Sequence, residues 1–144
     1  MEGEDAVEKL LSGYAQGVRD FSGSDLSGKE LYQVVLPGII LANAAIVQSD
    51  LCETALSSSD FTEADLSRTS LIEADLRWAN LRESNLTDAS LIGADLRWAN
   101  LQNACLRKTD LTGADLIGAV LTGVDLSETI LDSVRWSPSD KKAD

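Results

Sequence analysis

The chain contains no histidine, and that absence removes whole classes of chemistry. A Ser–His–Asp triad, a Cys–His nucleophile pair and a histidine metal site all need an imidazole. Aromatic residues make up 5% of the 144 residues, and proline occurs twice. The two cysteines, Cys52 and Cys105, are too few and too far apart for a disulfide framework or a cysteine zinc site. They read as free thiols, which fits a reducing, cytoplasmic compartment. Positive charge is also short: 12 Lys and Arg stand against 24 Asp and Glu, a net charge of −12. A binder of phosphate backbones needs a basic surface, so direct nucleic-acid binding is not expected. The start, Met1-Glu2-Gly3-Glu4-Asp5, lacks the basic residues of a secretory or transit peptide. One uncharged stretch, Leu31 to Ser49, is interrupted by Gln33, Pro37, Asn43 and Gln48. A membrane helix needs about 20 apolar residues in a row, so no membrane association is expected.

What the chain does have is a period of five. From Phe21, every fifth residue is large and apolar: Leu26, Leu31, Leu36, Leu41, Ile46 and onward to Leu131 and Trp136, without a slip. From Ala44 to Val134 the residue two before each of these is Ala, Ser, Thr or Val. The residue one before is often Asp or Asn, as at Asp65, Asp75, Asn80 and Asn85. A helix would spread such leucines around all its sides, because five residues advance it by about 500°. A continuous strand would alternate them between its two faces. Within one unit, however, the small residue and the leucine are two apart and point the same way. A short strand followed by a corner keeps every leucine inside, and stacked coils of this kind form a solenoid. The segment Leu71 to Asn80 returns as Leu91 to Asn100 with the single change of Glu73 to Gly93. That offset of 20 suggests four sides per turn.

Units such as Ala64-Asp65-Leu66-Ser67-Arg68 and Ala94-Asp95-Leu96-Arg97-Trp98 follow the pattern A(D/N)Lxx. From Phe21 to Trp136 the chain resembles the pentapeptide-repeat family. The lead-in from Leu10 to Phe21 is similar to the start of many cyanobacterial members. The resemblance implies an all-β solenoid, a right-handed quadrilateral β-helix with the central leucine and the small residue turned inward. Val7, Leu10, Leu11 and Tyr14 have helical spacing between Glu4 and Gln16, with Gly17 as the stop. A short capping helix with its lead-in is therefore expected over 1–18, the β-helix over 19–136 and a disordered polar tail over 137–144.

Irregular positions mark the candidate surfaces. Val34 and Ile39 are large for the second inward position, and Val35 and Ile40 should point outward. Either this coil is distorted around Pro37, or its outer face is covered by the cap helix or a second subunit. Trp136 stands at the last coil, where it can plug an end that otherwise presents an open strand edge. Two chains can pair end to end there, which makes a homodimer an expectation.

Twenty-residue stacking places Trp78 beside Trp98, flanked by Arg77 and Arg97, with Ile72 and Ile92 on the preceding side. Exposed Trp and Arg are the residues of an interaction hot spot, so these six form a candidate surface for an unidentified protein partner. The plainer reading is duplication of an outward Trp, with the arginines packed on the rings. Asp75, Asp95 and Asp115 share a ladder that ends at Arg135. Carboxylates about 5 Å apart repel one another. They either hold a cation such as calcium or are neutralised by Arg77, Arg97 and Arg135.

A leucine-filled interior leaves no cleft for a substrate, so neither enzyme activity nor a cofactor is expected. The resemblance implies two functions. One is a non-catalytic scaffold or protein-binding module. The other is a DNA-mimic inhibitor or protector of a type II topoisomerase, DNA gyrase, as in family members that confer quinolone resistance. Against mimicry, 11 of the 24 acids occupy the motif's own position before the central residue, so acidity comes with the repeat.

Overall fold

A solenoid of five-residue sides must satisfy five backbone N–H groups on each side. The computed structural model, which describes residues 5–137, shows how this is done. In the unit Leu96 to Asn100, the Leu96 N–H donates to the Asp115 carbonyl (2.8 Å) and the Trp98 N–H to the Ile117 carbonyl (3.0 Å), both on the next coil. The Ala99 N–H closes a β-turn onto the Leu96 carbonyl (3.1 Å), and the Asn100 N–H donates to the Ala79 carbonyl on the preceding coil (2.9 Å). Only the Arg97 N–H is left, and the Asp95 carboxylate accepts it at 3.2 Å. The same side-chain bond recurs at Asp60, Asp65, Asn80, Asn85 and Asp110. Asp and Asn before the central leucine therefore supply the one acceptor the backbone cannot.

These bonds stack residue n on residue n+20 in parallel, from Asp20 with Ile40 through to Asp115 with Arg135. The result is the expected right-handed quadrilateral β-helix, an all-β solenoid with a short N-terminal helix. From Phe21 to Leu121 each turn holds its third residue in the left-handed region, with φ of 56° at Glu53 and 59° at Asn43; Glu128, where the ladder breaks, does not. For a residue other than glycine this costs roughly 1–2 kcal/mol. Inside, Phe61 and the leucines from Leu26 to Leu116 are buried, with Ala64, Ala74 and Ala94 beside them. Burial of each leucine contributes roughly 1.5–3 kcal/mol. Serine and threonine are tolerated at the small position because their hydroxyls find carbonyls. Ser59 donates to Leu56 (2.6 Å) and Thr109 to Leu86 (2.7 Å).

The capping helix α1 spans Ala6–Ala15. Leu10 is buried, and Ala6, Val7 and Tyr14 pack against the core. Leu11 was expected on the same stripe but lies exposed, one position past the Ala6, Val7, Leu10 and Tyr14 face that meets the core. Gly13 lets the helix approach Phe21, where an added Cβ would fall 3.0 Å from the ring. The Tyr14 hydroxyl donates to the Pro37 carbonyl (2.6 Å) and ties the cap to the first coil.

That coil is not distorted around Pro37. Val35 pairs with Ala55 and Ile40 with Asp60 in the regular ladder, and Ile39 is fully buried. Its second inward position faces the capped end, where α1 replaces a further coil and leaves room for a larger side chain. The helix does not cover the outer face either, because Val35 is 66% exposed.

The other end departs from the uninterrupted register of the sequence. Cys105 and Asp125 do not form the pair that their position predicts, and neither the Leu106 nor the Asp125 N–H has a ladder partner. The Lys108 N–H donates to Glu128 (2.9 Å), one residue beyond the regular acceptor. A cavity of about 270 Å³ opens there, lined by Ala104, Cys105, Leu106, Arg107, Asp125 and Glu128. In the last coil Leu121, Val124, Leu126, Leu131, Val134 and Trp136 are half-buried and pack on the core from one side. Of the expected tail, Ser137 accepts the Gly118 N–H (2.8 Å), and 138–144 lie outside the described residues.

Candidate interaction surface

One corner column of the rod carries a continuous ion-pair ladder. Arg77 binds Asp75 through two side-chain bonds of 2.8 Å and reaches Asp95 at 3.8 Å. Arg97 repeats this one coil on, bonding Asp95 at 2.9 and 2.7 Å and reaching Asp115 at 3.8 Å. Arg135 closes the series on Asp115 at 3.2 Å. The guanidinium bonds, from Arg77 to Asp75 and from Arg97 to Asp95, hold both carboxyls below the usual carboxylate range. Three arginines thus neutralise three aspartates. Among the described residues no cluster of three or more Asp, Glu or Cys is arranged to hold a metal ion.

Beside this ladder the two tryptophans stack, with ring centroids 4.9 Å apart and planes 17° apart. Both occupy the third position of their turns, with φ of 63° at Trp78 and 60° at Trp98. That conformation is unusual for so bulky a residue. Trp98 extends over the next coil and fills the space in front of Gly118, where a Cβ would fall 2.4 Å from its Cδ1. Arg97 lies over the Trp98 ring at 5.3 Å, while no cation lies over Trp78 among the described residues. Packing of arginine on the rings, the plainer expectation, therefore holds for one of the two. Trp78 is 60% exposed and Trp98 41%.

The remaining candidates distribute unequally. Ile72 and Ile92 stack on the preceding side, Ile92 exposed and Ile72 half-buried, and a corner separates them from the indoles. Val35 and Ile40 had no evident link to the tryptophans. The ladder, however, runs Val35–Ala55–Asp75 on one flank of Trp78 and Ile40–Asp60–Asn80 on the other. They lie on the two adjacent sides that flank the Trp78 corner, two coils upstream. Trp136 lies apart at the C-terminal end. Gly118 and the small residues Ser58 and Gly38, in register with Trp78, carried no signal until the 20-residue stacking aligned them. Elsewhere, burial pushes the Cys52 thiol up, and its sulfur lies 2.9 Å from the Ser70 hydroxyl.

The repeat matches the family model described as pentapeptide repeats in eight copies, over residues 41–72, 59–97, 69–107 and 94–132. No curated protein matches the sequence. Among solved structures, a pentapeptide repeat protein from Nostoc Pcc 7120 is 32% identical. The alignment covers 90% of this chain and 94% of that one, with a TM-score of 0.49. Rfr23, from the cyanobacterium Cyanothece 51142, is 28% identical over 93% and 97% of the two chains, with a TM-score of 0.29. QnrB1, a plasmid-mediated fluoroquinolone resistance protein, is 16% identical over 86% and 82%, with a TM-score of 0.48. The eight matched copies extend from residue 41 to residue 132, and the chain belongs to the pentapeptide-repeat family.

Proposed function

We propose that the protein is a non-catalytic scaffold that binds a protein partner through the face carrying Arg77, Trp78, Arg97 and Trp98. One observation carries this reading: two stacked and exposed indoles, Trp78 the more so, stand on a left-handed backbone beside a self-neutralised ion-pair ladder. Burial does not offset the conformational cost of those positions, and exposed tryptophan is the residue most enriched at binding hot spots. A scaffold role also fits a core of buried leucines running from Leu26 to Leu116. The free thiols fit a cytoplasmic location, and no helix among the described residues is long and apolar enough to cross a membrane.

Affinity capture with purified protein, followed by titration of the captured partner, tests this. The double variant Trp78→Ala/Trp98→Ala should lose the partner, and equal affinity for wild type and variant would remove this surface.

Gyrase mimicry is the weaker reading. The motif's aspartates are spent on backbone N–H groups, as at Asp60 and Asp110, so their number follows from the fold rather than from a nucleic-acid-like surface. A supercoiling assay decides it: inhibition or protection at micromolar protein would revive mimicry. A second copy of the chain is the occupant we infer for the half-buried apolar end formed by Leu121, Leu126, Leu131 and Trp136.

A further inference from the structure

We propose that the upstream face of Trp78 seats a positively charged side chain, arginine above all, on an extended basic segment of the partner. This rests on the reading of the Arg/Trp face as a partner surface and names the chemistry it takes.

The indole column is closed at one end and open at the other. Trp98 is held between Trp78 and the Gly118 backbone and carries Arg97 over its ring. Trp78 has Trp98 on one side and no cation on the other among the described residues. The protein thus already makes a guanidinium–indole contact one coil downstream and leaves the equivalent contact unmade at the more exposed ring.

Next to the open ring lies a shelf. Ser58 and Gly38 precede Trp78 in the 20-residue register, and space in front of Gly38 is empty to beyond 4 Å of an added Cβ. Two coil spacings give the shelf about 10 Å, which admits roughly three residues of extended chain. Its flanks are Val35, Pro37 and Ala55 on one side and Asp60 on the other, so the floor is shallow and lacks long side chains.

Charge selects the occupant. Arg77, the nearest cation in sequence, is committed to Asp75 and Asp95. An incoming cation therefore meets an indole face with no cation on it, on a chain of net charge −12. An anion meets repulsion. Tryptophan is the strongest cation–π acceptor among the side chains, and guanidinium stacks on it over its whole plane.

The test uses the full chain and three blocked peptides, Gly-Arg-Gly, Gly-Lys-Gly and the neutral isostere Gly-citrulline-Gly, read through the indole N–H signals by NMR. The arginine peptide should shift the Trp78 signal more than that of Trp98 or Trp136, and citrulline should bind at least five-fold more weakly. Trp78→Ala should abolish the response at the remaining indoles, while Trp78→Phe, which keeps a ring, should retain weakened binding. Equal binding of arginine and citrulline, or unchanged arginine binding by a folded Trp78→Ala, would overturn the proposal. If a captured partner needs Trp78 while the peptides bind alike, the cation seat falls and the partner surface stands.

Discussion

The indole of Trp98 occupies the space in front of Gly118, so close that a Cβ there would fall 2.4 Å from Cδ1 of the ring. Gly118 also has φ +77°, a conformation that side chains other than glycine's rarely adopt. A backbone requirement and a side-chain contact thus converge on one residue. Gly118→Ala must displace Trp98, and through it Trp78. The substitution should destabilise the protein by roughly 1–2 kcal/mol from the backbone cost alone. It should also weaken the coupled indole signal in near-ultraviolet circular dichroism. A variant with unchanged signal would show that the stack does not depend on this seat.

Core width sets a second expectation. Ala94 is buried to 1% exposure between Leu91 and Leu96, with coils stacked above and below. Ala94→Leu should overpack the interior and cost roughly 1–3 kcal/mol in chemical denaturation. Ile92→Ala, on the outer face and 38% exposed, should stay within about 0.5 kcal/mol of wild type.

Acid should unfold the rod through its ladder carboxylates. The Arg77 bond lowers the Asp75 pKa, the Arg97 bond that of Asp95, and the Ser22 hydroxyl bond that of Asp20. Each is depressed in the folded state, so its contribution is present above the unfolded value of about 3.9 and is lost as pH falls through the folded value. The melting midpoint should be flat from about pH 7 to 5 and drop below about pH 4. Asp95→Asn should lower stability at neutral pH and make the acid drop shallower. An equally steep drop would place the acid sensitivity elsewhere.

Cys105 occupies the position at which Asn85 accepts the Thr87 N–H (3.1 Å) and Asp125 accepts the Ser127 N–H (2.9 Å). A thiol supplies no comparable acceptor, and the Arg107 N–H has no partner among the described residues. Cys105→Asn should restore that bond and raise stability by about 0.5–1.5 kcal/mol. Hydrogen exchange should also slow at Arg107. Unchanged exchange would mean that the opening at Glu128, rather than the missing acceptor, governs this corner.

The apolar end predicts association. Sedimentation at rising concentration should reveal a dimer, and Leu126→Asp should return it to monomer by placing a charge on the half-buried end. A wild-type monomer at millimolar concentration would exclude end-to-end pairing.

Several of these features were legible as sequence. The five-residue phase, the small residue two before each leucine and the 20-residue echo of Leu71–Asn80 define coils of four sides, because only a corner after each short strand keeps every leucine inside. The aspartates were visible, but not their task. Their acceptance of the N–H two residues on appears only when the other four N–H groups are accounted for. Leu11 looked like core and is exposed, since a cap helix touches the solenoid along one narrow stripe. The break between Cys105 and Asp125 has no trace in the leucine register, because it is a backbone slip that leaves every central side chain inside.

By itself, then, the sequence determined the architecture, since inward and outward positions repeat with a period that only one kind of coil satisfies. Tertiary structure decided the surface. Stacking residue n on n+20 brought Val35, Gly38 and Ser58 into line with Trp78, and set Trp98 on Gly118. It also distributed three arginines among three aspartates. These relations join residues 20 to 40 apart that carry no shared pattern, and they arise because coil spacing places those side chains in contact.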